Sequence, residues 1–279
     1  MPLQESDFAG LIDAALLEDV GHGDLTSELT IPADQQASLI MTARQTLVVA
    51  GIGIAARVFE RVDPSLQYEI PVNDGYEIDA GAALLEVRGN ARSILLAERT
   101  ALNFLGRLCG VATLTSAYVK AVEGTKARIL DTRKTLPGWR MLDKYAVRMG
   151  GGHNHRLRLD DGVLIKDNHI AISGSITVAI ERARAGAPAL TMIEVECDTL
   201  EQVKEAIAAG ADMILLDNMS PAQLREAVAL GNGRTRFEAS GNVTLETIRS
   251  IAETGVDAIS IGRLTHSAPQ VDIGLDIAF

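Results

Sequence analysis

Residues Met149–Leu159 read MGGGHNHRLRL: three glycines run into His-Asn-His-Arg, and a second arginine follows two residues on. Such a stretch could hold a metal, cradle a phosphate, belong to a nuclease-like HNH element, or be a plain basic loop. His153 and His155 have no third ligand nearby at a metal spacing, which argues against a transition-metal centre. An HNH element needs a ββα-metal context of its own. The surrounding charge is more telling. Between Arg128 and Arg158 stand eight basic residues (Arg128, Arg133, Lys134, Arg140, Lys144, Arg148, Arg156 and Arg158) against two acids, Asp131 and Asp143. That segment is +6 in a chain of net charge −11, so the remainder is −17 (−11 − 6). A cationic segment inside an acidic protein suits a pocket for a small polyanion, whereas a nucleic-acid surface would make the whole domain basic.

The elements that must position these groups repeat at a regular pitch. MIEVE, MILLD, RFEAS and AISIG end at Glu196, Asp217, Ser240 and Gly262, at intervals of 21, 23 and 22 residues. Each interval accommodates one strand and one helix. Thr199-Leu-Glu-Gln202 and Ser220-Pro-Ala-Gln223 read as capping boxes, the second with Pro221 at the first helical position. Gly210, Gly231 and Gly255 are the expected helix stops. ARILDT near Asp131 and GVLIKD near Lys166 add two strands. This alternation makes a parallel sheet, with a closed or nearly closed barrel as the simplest architecture. A doubly wound open sheet is the alternative, although no glycine-rich dinucleotide fingerprint follows any strand.

The N-terminal part reads differently. Leu3 to Glu18 is expected to form an amphipathic helix. SLIMTARQTLVVAG and LQYEIPVNDGYEIDAGAALLEVRG read as strands, with tight turns at Asn73-Asp74-Gly75 and Asp79-Ala80-Gly81. Ala91 to Cys109 reads as a long helix whose apolar stripe is Ile94, Ala97, Ala101, Leu102, Leu105 and Leu108. The domain boundary is placed near residues 111–118, dividing the chain into 1–113 and 114–279, with the last residues free to pack back on the first domain.

In a parallel barrel, chemistry gathers where strands end. Those positions hold Arg133 and Lys134, then His155 and Arg156, then Lys166. Glu196, Asp217, the Ser240-Gly241-Asn242 loop and Gly262 follow. Cations there would bind carboxylates or phosphates through charge-assisted bonds. Paired carboxylates would hold ribose hydroxyls, or a Mg²⁺ that rides on pyrophosphate. Small residues with free N–H groups would cradle a terminal phosphate.

Composition excludes several function classes. Hydrophobic content of 47% and charged content of 23% fit an ordinary globular protein. Aromatics at 4% leave few platforms for single-stranded nucleic acid. No apolar run reaches the ~18 residues of a membrane span. The opening MPLQESDFAG carries acids where a signal peptide carries Lys or Arg, so a cytoplasmic protein is expected. Cys109 and Cys197 are too few for a disulfide framework or a cysteine zinc site and read as buried apolar residues.

DTRKTLPGWRMLDKYAVRMGGGHNHRLRLDDGVLIKDNH, EVEC, LLDNMSP, EASGNVTLETI and ISIGRLTHSAP, together with the earlier ERTALNFL, resemble the quinolinate phosphoribosyltransferase family in long, ordered blocks. The resemblance implies an N-terminal α/β sandwich followed by an incomplete α/β barrel. It implies transfer of the phosphoribosyl group of phosphoribosyl pyrophosphate to quinolinate, with loss of pyrophosphate and CO₂, giving nicotinate mononucleotide for NAD synthesis. It further implies Mg²⁺ carried by pyrophosphate near Glu196 and Asp217, with no metal ligand assigned directly. A homodimer, or a higher oligomer, would bring Arg99 into the neighbouring site.

By the same resemblance, Thr132, Arg133, His155 and Arg156 belong with the groups around the two quinolinate carboxylates, and Lys134 and Lys166 with cations near both substrates. Glu196 and Asp217 match the ribose-side carboxylates. Ser240, Gly241, Asn242, Gly262 and Arg263 match the 5-phosphate loops. Lys134, Lys166, Glu196 and Asp217 are the implied catalytic set. Trp139, His153, Arg158 and Arg263 depart from the commoner family residues; His169 reads equally as a loop histidine that orients the lysine strand, and His22 and His266 have no assigned role. Two other readings stand beside this one: a paralogue using another pyridine, and a non-catalytic nucleotide- or phosphate-binding protein.

Overall fold

The computed structural model describes residues 3–278. They cluster into two compact units. The first holds the chain up to Ser116, Thr135–Gly151, and the stretch from Arg263 on; the second holds Ala117–Lys134 and Gly152–Gly262.

The first unit opens with a 3₁₀ turn at Glu5–Asp7 and helix α1 (Ala9–Val20). The expected helix from Leu3 is interrupted because Phe8 sits at φ −139°, outside helical geometry, and α1 buries Ile12 alone. Helix α2 (Leu25–Thr30) is capped by Asp24, whose carboxylate accepts from the Ser27 N–H. Strands β1 (Gln36–Ala43) and β2 (Leu47–Val48), helix α3 (Ile52–Val62), and strands β3 (Gln67–Glu69), β4 (Glu77–Ile78) and β5 (Ala83–Asn90) follow. Helix α4 (Ala91–Ala121) buries the whole expected stripe but runs 12 residues past Cys109. Its glycines do not stop it, because they serve close approach. A Cβ on Gly110 would lie 2.1 Å from the Pro269 carbonyl oxygen.

The second unit begins its sheet with β6 (Arg128–Leu130); the next helix, α5 (Arg140–Met149), belongs to the first unit. The second unit resumes with β7 (Val163–Ile165), α6 (Asp167–Ser173), α7 (Ile176–Gly186), β8 (Ile193–Cys197), α8 (Leu200–Ala208) and β9 (Met213–Asp217). It continues with α9 (Pro221–Gly231), β10 (Arg236–Ser240), α10 (Ile248–Ala252) and β11 (Ala258–Ser260). Helix α11 (Arg263–His266) and strand β12 (Ile273–Ile277) are again in the first unit.

The first unit's main sheet is antiparallel where its strands pair, in the order β12-β1-β5-β3, and β2 pairs with β4. The second unit's six strands are all parallel, ordered β6-β11-β10-β9-β8-β7. Neighbours in sequence are neighbours in the sheet from β7 to β11, which is barrel winding and not the doubly wound alternative. The terminal strands β6 and β7 do not pair with each other among the described residues, so the barrel is open.

Local signals set the helix ends of this unit. Thr199 and Ser220 accept from the backbone N–H groups of Gln202 and Gln223, and both glutamine side chains bond back. Gly210 and Gly255 lie at φ 79° and 90° just beyond α8 and α10, where glycine is the residue that fits. Gly231 differs from expectation: it is the last residue of α9, and Asn232 at φ 45° ends the helix. Gly231 is small for another reason, since a Cβ there would meet the Phe237 ring at 2.3 Å.

Candidate active site

Parallel pairing levels Ser240 with Asp217 and Glu196 with Leu215, so the side chains after the strand ends converge on one rim. A cleft of about 410 Å³ opens there. Thr132, Arg133, Lys134, His155, Arg156, Lys166, Glu196, Asp217 and Ser240 all line it, nine of the fourteen positions read from sequence. Gly241, Asn242 and Gly262 follow the same strand ends without lining the cleft, while Arg99 and Arg263 are exposed residues of the first unit.

The cationic side is held by backbone contacts. His153 forms a parallel bridge with Leu130, adding a short ladder to the outer edge of β6. Buried Asp131 then accepts from the Asn154 amide at 2.6 Å and from the His155 backbone N–H at 2.8 Å. Arg156 Nη1 donates to the Gly162 carbonyl at 3.0 Å. Burial and the Arg133 charge pull the Arg156 guanidinium below its ordinary value, with Glu194 and Asp161 opposing. Two guanidinium groups crowding one partly desolvated place repel each other until an anion arrives.

Lys166 sits opposite and donates through Nζ to Glu196 Oε2. His169, read from sequence as a loop histidine orienting the lysine strand, accepts the Lys166 backbone N–H on Nδ1 at 3.0 Å at the start of α6. On the acidic side Asp217 accepts from the Asn218 amide at 2.7 Å. Asn218 in turn accepts from the Asn242 amide at 3.1 Å, and its backbone N–H bonds the Ser240 carbonyl. Asn218 and Asn242 both take left-handed φ, 54° and 50°. Gly241 lies between them at φ 97°, where a Cβ would fall 2.2 Å from Asn218 Oδ1. This loop therefore requires glycine twice over, for its backbone and for its neighbour.

A scan of family models matches residues 24–109 to the quinolinate phosphoribosyl transferase N-terminal domain and residues 111–276 to the C-terminal domain. The chain belongs to the quinolinate phosphoribosyltransferase family. A nicotinate-nucleotide pyrophosphorylase [carboxylating] of Mycobacterium leprae is 46% identical over 95% of this chain and 95% of its own. A probable enzyme of the same name from Bacillus subtilis is 44% identical over 96% and 92%. The crystal structure of nicotinate-nucleotide pyrophosphorylase from Ehrlichia chaffeensis superposes with a TM-score of 0.94, at 44% identity and with 100% of both chains covered.

Within this family frame, the sequence reading overlooked four residues. Asp131 and Asn218 act by holding others, through contacts that no spacing displays. Glu194 and Glu238 are buried beside His155, whose Nε2 lies 3.0 Å from Glu194 Oε2 and 3.6 Å from Glu238 Oε2. Here a signal was available. Each glutamate stands two residues before a rim residue, Glu196 or Ser240, and alternation in a strand puts it on the same inward face. Trp139, one of the departures, stacks on Phe104 at 4.8 Å within the first unit, which gives the tryptophan a packing role. Cys109 and Cys197 are buried, with thiols pushed up to about 12, chiefly by desolvation.

Proposed function

We infer that the chain joins quinolinate to phosphoribosyl pyrophosphate, releasing pyrophosphate and CO₂ and giving nicotinate mononucleotide for NAD biosynthesis. One observation carries this reading: a single cleft at the open strand ends has Arg133, Lys134, Arg156 and Lys166 on its walls together with Glu196 and Asp217. A two-carboxylate pyridine meets the arginines and Lys166 as a charge-assisted clamp, with His155 at its base. Lys134 faces the departing pyrophosphate, on which Mg²⁺ arrives as part of the substrate. Glu196 and Asp217 face the ribose, where negative charge favours the oxocarbenium character that develops as the anomeric bond breaks. Ser240, Gly241, Asn242, Gly262 and Arg263 take the 5-phosphate. The pyridine nitrogen is the nucleophile, so orientation of two anions is the main contribution required of the protein.

Arg99, exposed on α4, serves the neighbouring subunit of a homodimer in this reading. The domain division is 1–113 and 114–279, which the two matched family spans, 24–109 and 111–276, support. A cytoplasmic place belongs to the same reading. Among the described residues no helix is long and apolar enough to cross a membrane.

The test supplies quinolinate, phosphoribosyl pyrophosphate and Mg²⁺ and follows CO₂ and nicotinate mononucleotide together. Both products are expected in equal amounts. Nicotinate, which lacks one carboxylate, leaves a half-buried cation of the clamp without its partner and is expected to be a far poorer substrate. Comparable turnover with nicotinate removes the clamp assignment; binding of both substrates without turnover would favour the non-catalytic reading.

A further inference from the structure

Directly beneath the clamp lie two side chains that the reaction does not call on. Glu194 on β8 is 6% exposed and Glu238 on β10 is fully buried. Glu194 Oε1 and both Glu238 oxygens are buried without a hydrogen bond of good geometry, and the Ser260 side chain exerts only a minor pull on Glu238. Buried carboxylate oxygens left in this state are costly, so their presence calls for a return elsewhere. What they face is His155.

The ring of His155 is engaged at both nitrogens. Nδ1 accepts the Arg156 backbone N–H at 2.8 Å, so Nδ1 carries a lone pair and the ring proton sits on Nε2. Nε2 then donates to Glu194 at 3.0 Å. The three side chains offer ligand atoms within 4.8 Å of one another, but the Nδ1 lone pair is taken by the Arg156 N–H and Nε2 is committed to Glu194. The ring is a strut between the Glu194 carboxylate below and the Arg156 backbone above. A second cavity of about 230 Å³ shares His155, Arg156 and Glu238 with the cleft and also touches Glu194.

We propose that Glu194, backed by Glu238, positions the carboxylate clamp: Glu194 accepts the Nε2 proton, buried Glu238 closes off the ring at 3.6 Å, the ring fixes the Arg156 backbone, and the cations meet quinolinate already aimed. This rests on the clamp reading given above. A ligand that binds preset groups loses less on ordering them, which is where the gain in affinity arises.

The test uses the full chain with Glu194→Leu and Glu238→Leu, which remove the carboxylates at similar volume. Quinolinate binding is measured by calorimetry, steady-state constants are measured for each substrate, and melting curves report folding. Each variant is expected to raise the quinolinate Kd and KM tenfold or more, to leave the KM for phosphoribosyl pyrophosphate within about twofold, and to melt no lower than the parent. Glu194→Gln keeps an acceptor for the Nε2 proton and is expected to recover affinity to within about threefold. Glu194→Asp keeps the charge but withdraws the oxygen, and it is expected to show the same selective loss, which covers the case of a leucine variant that does not fold. Unchanged quinolinate affinity in Glu194→Leu or Glu194→Asp overturns the proposal, as does equal weakening of both substrates. Arg156→Ala separates the two readings. If it leaves quinolinate affinity unchanged, the clamp itself is wrong; if it weakens quinolinate while the glutamate variants do not, only the positioning role falls.

Discussion

Replacing Glu238 by glutamine should change the way stability depends on pH. Burial, followed by the Glu194 charge, pushes the Glu238 carboxyl from 4.5 up to about 8, against the opposing pull of His155, Ser260 and Lys166. The folded chain therefore holds a proton that the unfolded chain releases between about pH 4.5 and 8. A group of this kind contributes its full stability below the lower value and loses it as pH rises through the upper one. Each pH unit within the window changes the balance by at most about 1.4 kcal/mol, so the whole window is worth on the order of a few kcal/mol. Glu238→Gln keeps the shape and cannot ionise. Any fixed penalty of its buried amide is the same at every pH, so the comparison lies in the slope. Urea unfolding of parent and variant at half-unit steps from pH 5 to 9 is the assay. The variant is expected to gain on the parent steadily as pH rises, by a few kcal/mol at pH 8.5 relative to pH 5, which corresponds to a melting shift of roughly 5–10 °C for a chain of this size. Parallel stability curves would mean that Glu238 titrates at an ordinary carboxylate value, and the account of its burial would be wrong.

Three further outcomes follow from the same geometry. Activity is expected to require a hard divalent cation and to vanish in excess EDTA while surviving zinc-selective chelators, because oxygen-rich pyrophosphate carries the ion; full turnover in EDTA counts against this. Arg99→Ala and Lys134→Ala, each inactive alone, are expected to recover activity when mixed and re-equilibrated, in up to about half of the heterodimer's sites, since one pocket collects both lesions and the other neither. No recovery despite exchange demonstrated by tagged pull-down would show that Arg99 acts within its own subunit or not at all. Gly150→Ala places a Cβ 2.3 Å from the Ala112 carbonyl oxygen and 2.6 Å from Thr115 Cβ, so the first unit is expected to lose about 1–3 kcal/mol in a denaturant melt, and an unchanged midpoint would contradict the close approach.

Much of this protein is written in short-range sequence. Thr199 with Gln202 and Ser220 with Gln223 cap their helices across three residues, a contact that spacing alone determines. The pitch of the strand ends placed Lys166, Glu196, Asp217 and Ser240 on one rim, because a parallel βα repeat has only one carboxyl face. Where α4 ends was not legible, since the expected helix passes through Gly106 but stops before Gly110, which looks like a breaker until Pro269 is seen against it. Nor was the role of Asp131, which depends on an edge bridge between Leu130 and His153 that the strand pattern does not encode. Glu194 and Glu238 mark the boundary between the two kinds of information. Alternation puts each on the inward face of its own strand, and that much is local. Whether two such glutamates meet a histidine or open water depends on how distant strands are ordered, and only tertiary structure brings the polar atoms of residues 155, 194 and 238 within 4.8 Å of one another and buries both glutamates.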